Sequence, residues 1–152
     1  MDVFDLLKKD HEKVSGIFEK LEPTTERATK TREELFTQLK QELDLHAQLE
    51  ETHFYPVIKR EAETRAITFE GFEEHAVIKT LLQELATTPV ESEQWTAKLK
   101  VLKENVEHHV EEEEGEMFPK AKEVLSREQI DDITRRIEAG KQQAMPKSVS
   151  AG

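Results

Sequence analysis

Six residues able to hold a metal ion occur in the same order in the two halves of the chain. His11 precedes His46-x-x-x-Glu50, and His75 precedes His109-x-x-x-Glu113. Imidazole nitrogen and carboxylate oxygen are donors that suit iron, manganese or zinc. The chain has no cysteine, which excludes disulfides, thiolate metal sites and cysteine nucleophiles. One His-x-x-x-Glu alone carries little weight. Such pairs arise by chance in a chain with 33 acidic residues and 6 histidines, and i,i+4 pairing is ordinary helix-surface chemistry. His108 with Glu112 is an incidental pair of this kind, since His108 points about 100° away from His109 on a helix. The informative feature is the repeated order, one element per helix.

The repeat extends well beyond the candidate ligands, at a period of about 64 residues. Asp10-His11, followed by Val14, Ile17, Phe18 and Leu21, aligns with Glu74-His75, followed by Ile78, Leu81, Leu82 and Leu85. HAQLEETHFYPVIK from His46 aligns with HVEEEEGEMFPKAK from His109, which pairs Glu50 with Glu113, Tyr55 with Phe118 and Pro56 with Pro119. Each half is a helix hairpin, and two hairpins would pack with approximate twofold symmetry.

The elements that must position these residues follow from apolar periodicity. Val3, Leu7, Val14, Ile17 and Leu21 mark one helix from about Asp2 to Glu22, broken by Pro23-Thr24-Thr25. A second helix carries Leu35, Leu39, Leu43 and Leu49, with Thr31-x-x-Glu34 as a capping box at or inside its start. Pro56 kinks or ends it, with a short extension through Ile58. A third runs from about Ile67 to Leu85, and a fourth from near Glu93 to Pro119. Ser126-x-x-Gln129 caps a fifth helix that Gly140 would terminate. The expectation is an all-α fold: an antiparallel up-down four-helix bundle over residues 1–125, a short C-terminal fifth helix over 126–142, and a disordered tail over 143–152.

Helix geometry is compatible with one shared site. From His11 to the end of the first helix is roughly 16 Å of rise, and from Thr31 to His46 roughly 22 Å. In the second hairpin the corresponding distances are roughly 18 and 24 Å. The four histidines therefore fall in neighbouring layers, with Glu50 and Glu113 one turn beyond His46 and His109. Composition narrows the function classes further. A formal charge of -11 works against binding a phosphate backbone, so no nucleic-acid partner is expected. No apolar run approaches the roughly 20 residues of a membrane span. The start MDVFDLLKKDH lacks a signal-peptide pattern, and a cytoplasmic location is the expectation.

Across about residues 2 to 125 the chain resembles the hemerythrin HHE cation-binding family. The resemblance rests on His11, His46-x-x-x-Glu50, His75, His109-x-x-x-Glu113 and the Glu-Glu…Tyr/Phe-Pro segments that follow. It implies a four-helix bundle holding two iron ions, bridged by an oxo or hydroxo group and by carboxylates. His11, His46, His75 and His109 would then be terminal ligands, and Glu50 and Glu113 bridges. Oxygen-carrying hemerythrins have a fifth histidine one turn after the third, where this chain has Lys79. They also place the last carboxylate five residues after its histidine, which makes Glu114 an alternative to Glu113. The repeat favours Glu113, because it pairs with Glu50.

His53 lies seven residues after His46 on nearly the same helix face, and its counterpart in the repeat is Glu116. Either could be an extra ligand or a hydrogen-bond partner that orients one. Tyr55 and Phe118 are expected to pack below the site, with a hydrogen bond open to Tyr55, and Gly115 either makes room near the metal or permits a bend. Three functions are compatible with these residues. One is a di-iron protein that binds, senses or detoxifies dioxygen, peroxide or another small oxidant. Another is a di-iron enzyme decomposing hydrogen peroxide; Lys79 in place of a ligand favours peroxide or sensing chemistry over simple oxygen carriage. The last is a metal-free helical interaction module, and under any of the three the chain would be monomer or dimer. A ferritin-like site would need two Glu-x-x-His motifs, and only Glu50-x-x-His53 qualifies.

Overall fold

The structure, a computed structural model, describes residues 1–144, and every regular element among them is helical. Of the tail expected to be disordered from residue 143, Gln143 and Ala144 end the last helix, and the remainder lies outside the described residues. The first hairpin pairs α1 (Val3–Leu21) with α2 (Thr29–Leu49), and the second pairs α4 (Ala62–Ala86) with α5 (Glu93–Glu112). Short segments α3 (Tyr55–Ile58) and α6 (Phe118–Val124) prolong α2 and α5. A final helix, α7 (Arg127–Ala144), packs against α1 and α2. The architecture is the expected helical bundle with an added C-terminal helix.

Local chemistry starts three of these helices. Asp2 accepts from the Asp5 amide at 3.1 Å while the Asp5 carboxylate accepts from the Asp2 amide. Ser92 caps α5 through the Trp95 amide. Ser126 and Gln129 form the reciprocal box read from their spacing. The Thr31-x-x-Glu34 box does not form, because α2 begins at Thr29 behind Ala28 and Thr31 lies already within the helix. Buried Arg32 does different work there. Its guanidinium donates to Thr24 O at 3.0 Å and to Val90 O at 2.7 Å, and it stacks over Trp95. It thereby joins the two hairpin turns at one end of the bundle.

Two π-helical turns, Glu50–Phe54 and Glu113–Met117, join α2 to α3 and α5 to α6. Proline explains both. Lacking an N–H, Pro56 and Pro119 are tolerated only near the start of a helical segment, and each occupies the first turn of its short helix. The ladder widens just before them: the Tyr55 amide bonds to Glu50 O and the Phe118 amide to Glu113 O, five residues back. The chain therefore continues as helix beyond both prolines, and the fourth helix does not stop at Pro119 as expected.

The core is divided in two. Val3, Phe4, Leu7, Phe54, Phe118 and their neighbours fill the lower half, joined by Ile133 and Ile137 of α7. Val14, Phe18, Leu39, Leu82, Trp95, Leu102 and others fill the upper half. Between them lies a polar layer. Two glycines serve close packing rather than turns. A Cβ on Gly71 would meet the Tyr55 ring and hydroxyl at 2.9–3.0 Å, and one on Gly140 would collide with Leu49. Gly140 does not terminate α7; it sits inside the helix, which runs on to Ala144.

Gly115 is different, since a Cβ there would meet nothing within 4 Å and the position is exposed. It makes no room for the site. Gly115→Ala should therefore raise the melting temperature by about 1–3 °C through reduced chain entropy. Gly71→Val should lower it by several degrees, because overpacking costs about 1–3 kcal/mol. Thermal melts of the two variants beside the parent chain check both signs.

Candidate metal centre

The polar layer is built from the repeated residues. α1 supplies His11, α2 His46, α4 His75 and α5 His109, while Glu50 and Glu113 open the two π turns. All six are buried, and both glutamates are 0% exposed. Each glutamate lies between a histidine of its own helix and one from the other hairpin. Glu50 Oε1 is 3.1 Å from Nε2 of both His46 and His75. Glu113 is 3.2 Å from His109 Nε2 and 3.0 Å from His11 Nε2. The rings pair as His11 with His46 and His75 with His109, at centroid separations of 4.9 and 4.8 Å and the same 62° angle. The twofold relation inferred from the repeat is thus present in space.

Every imidazole is held from behind by a carboxylate. Nδ1 of His46 contacts Asp10 at 2.8 Å, and Nδ1 of His109 contacts Glu74 at 2.5 Å. Nδ1 of His75 contacts Glu51 at 2.7 Å, and Nδ1 of His11 contacts Glu114 at 2.6 Å. A neutral ring that donates through Nδ1 keeps its lone pair on Nε2, aimed at the layer's centre. Two of these carboxylates precede a histidine in sequence (Asp10, Glu74) and two follow a buried glutamate (Glu51, Glu114). The repeat contains both signals, but the sequence reading passed over Asp10, Glu51 and Glu74 as orienting groups.

The inward-facing atoms lack partners of their own. Nε2 of His11, His46 and His109, both oxygens of Glu50 and Oε1 of Glu113 are buried without a hydrogen bond, although they approach one another closely. Leaving so many polar atoms unsatisfied is costly, and a cation at the centre would satisfy them together. One donor atom each from Glu50, His75, His109 and Glu113, and likewise from His11, His46 and Glu113, falls within 4.8 Å of its companions. The donor set fits a metal site.

The surrounding charges pull in one direction. Burial opposes a charged His46, yet the Glu50 carboxylate and the bond to Asp10 hold its pKa well above 6.5. His75 is likewise raised against burial by Glu50 and Glu51. His109 is raised to about 10 against burial by the Glu113 charge and the bond to Glu74. Burial also opposes ionised Glu113, but His109, His11 and His46 keep its pKa well below 4.5. Tyr55 breaks the twofold symmetry. Its hydroxyl donates to Glu113 Oε2 at 2.5 Å and its ring stacks on His75, whereas the matching Phe118 only stacks on His11. Burial and the Glu113 charge push the Tyr55 pKa well above 10, so it remains a donor.

The other candidates lie elsewhere. Glu114 meets the back of His11 rather than the centre. Glu116 is exposed and pairs with Lys120 at 3.2 Å. His53 is only half-buried and turns towards α7, where burial and the charge of Arg136 hold its pKa below 6.5. The π turn accounts for this: a widened turn advances less per residue, so the seven-residue spacing no longer returns His53 to the face of His46. His108 is exposed beside Glu74 and Glu112. Lys79 is exposed as well and lines the mouth of a cavity of about 410 Å³ above the histidines. That cavity is walled by Val14, Leu43, Ile78, Leu82 and Val106.

Comparison with known proteins agrees with this geometry. The Hemerythrin HHE cation binding domain matches residues 2–121. A solved hemerythrin HHE cation-binding domain-containing protein, the Rv2633c homolog from Mycobacterium kansasii, superposes with a TM-score of 0.80 at 24% identity, covering 94% of this chain and 86% of that one. A DNA nickase from Nostoc sp. (strain PCC 7120) is 27% identical over 141 residues, which are 93% of this chain. This chain spans only 39% of the length of that relative. With four histidines and two glutamates meeting inside a helical bundle and the family match spanning most of the sequence, the chain belongs to the hemerythrin HHE cation-binding domain family.

Proposed function

We propose that the chain is a non-haem di-iron protein that interacts with dioxygen or peroxide, as a binder, sensor or detoxifier of small oxidants. The observation that carries this reading is the position of each buried glutamate between imidazoles of both hairpins. In that reading His11 and His46 would hold one ion and His75 and His109 the other, with Glu50 and Glu113 shared between them. Iron suits the charge balance. Glu50, Glu113 and the four outer carboxylates bring six formal negative charges around neutral imidazoles, an environment that favours a highly charged pair. Bound iron would supply one-electron redox chemistry towards a small oxidant.

The protein's own part is to orient and to admit. The outer carboxylates fix ring angle and tautomer, and Tyr55 holds one Glu113 oxygen in place. The cavity above the histidines, with apolar walls at Val14, Ile78, Leu82 and Val106 and a charged rim, would give a small molecule a path to them. Lys79, where oxygen carriers have a fifth histidine, leaves the cavity side of the site without that ligand. This favours peroxide turnover, a catalase-like activity, as the second reading. The DNA nicking that names the Nostoc relative is not carried over, because this chain spans 39% of that protein and its charge of -11 opposes phosphate binding.

Protein expressed with ample iron should contain about two irons per chain and absorb in the near ultraviolet, with both properties lost in His46→Ala. A metal-free chain that folds fully and refuses iron would overturn the proposal. For the enzymatic reading, Glu50→Ala should slow peroxide loss by iron-loaded protein at least about tenfold, and equal rates would exclude that reading. Metal must also displace protons from the raised imidazoles. In the metal-free chain, His46, His75 and His109 stabilise the fold fully below their unfolded value of 6.5. That contribution is lost as pH rises through the folded values, about 10 for His109. Glu113 has the opposite sign: it stabilises above 4.5 and loses this as pH falls through its lower folded value. The metal-free melting temperature should therefore fall from about pH 6.5 to pH 10, while that of the iron-loaded chain holds. Paired melts across that range provide the check.

A further inference from the structure

We propose that α7 is part of the metal centre: Lys141 is a positioning residue that, through Asp10, sets how tightly the ion served by His46 is held. This rests on the two-ion reading above. The Lys141 ammonium pairs with Asp10 Oδ1, and Asp10 Oδ2 accepts from His46 Nδ1 at 2.8 Å. His46 Nε2 in turn faces Glu50 at 3.1 Å. A carboxylate anchored on one oxygen has less freedom to rotate, so the ring bonded to its other oxygen is held at a fixed angle.

Three features show that this contact is built into the fold. Ile133, Ile137 and Lys141 recur at four-residue spacing on α7, which places the lysine on the helix face that the two buried isoleucines fix against the lower core. Gly140 lets the α7 backbone come close to Leu49, the residue before Glu50. The arrangement is also one-sided. α7 packs against α1, α2 and the first π turn. Glu74, the counterpart of Asp10, bonds to His109 in the same way, but its other oxygen faces His108 at 3.7 Å and, among the described residues, pairs with no lysine. The last helix therefore adds a second inequality, beside that of Tyr55 and Phe118, between the two halves of the layer.

The test is release of iron(II) from loaded protein to a coloured chelator, with circular dichroism confirming the fold. The parent chain should release two equivalents slowly, and Lys141→Met should release iron about tenfold faster, with Lys141→Arg restoring most of the retention. Asp10→Asn should match Lys141→Met, and the double variant should be no faster than Asp10→Asn alone, since both act through one contact. Lys141→Met combined with Glu74→Gln should instead multiply the two separate effects. If Lys141→Met does not fold, Lys141→Gln is measured in its place. Unchanged or slower release from the lysine variant, or additivity with Asp10→Asn, would overturn the inference. A parent chain that takes up no iron would instead overturn the two-ion reading on which it stands.

Discussion

Two fully buried glutamates at the centre of a helical bundle set the terms for everything around them. Withdrawing a carboxylate from water costs several kcal/mol even after the protein relaxes, and Glu50 and Glu113 lie side by side between two apolar clusters. Positive charge must compensate, whether from metal ions or from protons on His46, His75 and His109. The raised values of His46, His75 and His109 and the lowered value of Glu113 express that demand. A site that attracts protons so strongly also attracts cations, and the two compete for the same Nε2 atoms.

The outer carboxylates turn this demand into geometry. Without Asp10, Glu51, Glu74 and Glu114, each imidazole could flip or present either nitrogen. With them, all four rings turn Nε2 inward. Two of these contacts run between hairpins, Glu51 to His75 and Glu114 to His11, so the same bonds that orient the imidazoles hold the halves of the bundle together. Symmetry then relaxes where function can use inequality. Tyr55 donates to Glu113 while Phe118 offers Glu50 nothing, and Gly71 leaves the space that the tyrosine ring fills. α7 packs chiefly on the first hairpin.

Backbone and site are linked through the prolines. Because Pro56 and Pro119 cannot donate, the helical ladder widens to i→i−5 just ahead of them, and the carbonyls that accept the longer bonds belong to Glu50 and Glu113 themselves. A glutamate at the opening of such a turn keeps its i,i+4 relation to the preceding histidine, while the residues after it rotate off that face. His53 and Glu116 lie on the far side of this change and point elsewhere.

The sequence by itself determined the bundle, the order of the six central residues and their approximate twofold relation. Helical periodicity is local, so Leu39, Leu43, His46 and Glu50 announce their common face without reference to any other helix. The capping box at Ser126 is local for the same reason. Tertiary structure decided which outer carboxylate meets which ring, because Glu51 reaches His75 and Glu114 reaches His11 only after the helices take their heights and rotations. It decided that Glu114 orients rather than faces the centre, that Gly140 packs rather than terminates, and that Lys141 meets Asp10 across 131 residues of chain. Pro56 and Pro119 mark a disturbance of the helix in the sequence but not its form as a π turn, so the spacing that brings His53 inward holds only for an ideal helix. Spacing along a chain specifies a face, whereas contact between faces depends on how whole helices settle against one another.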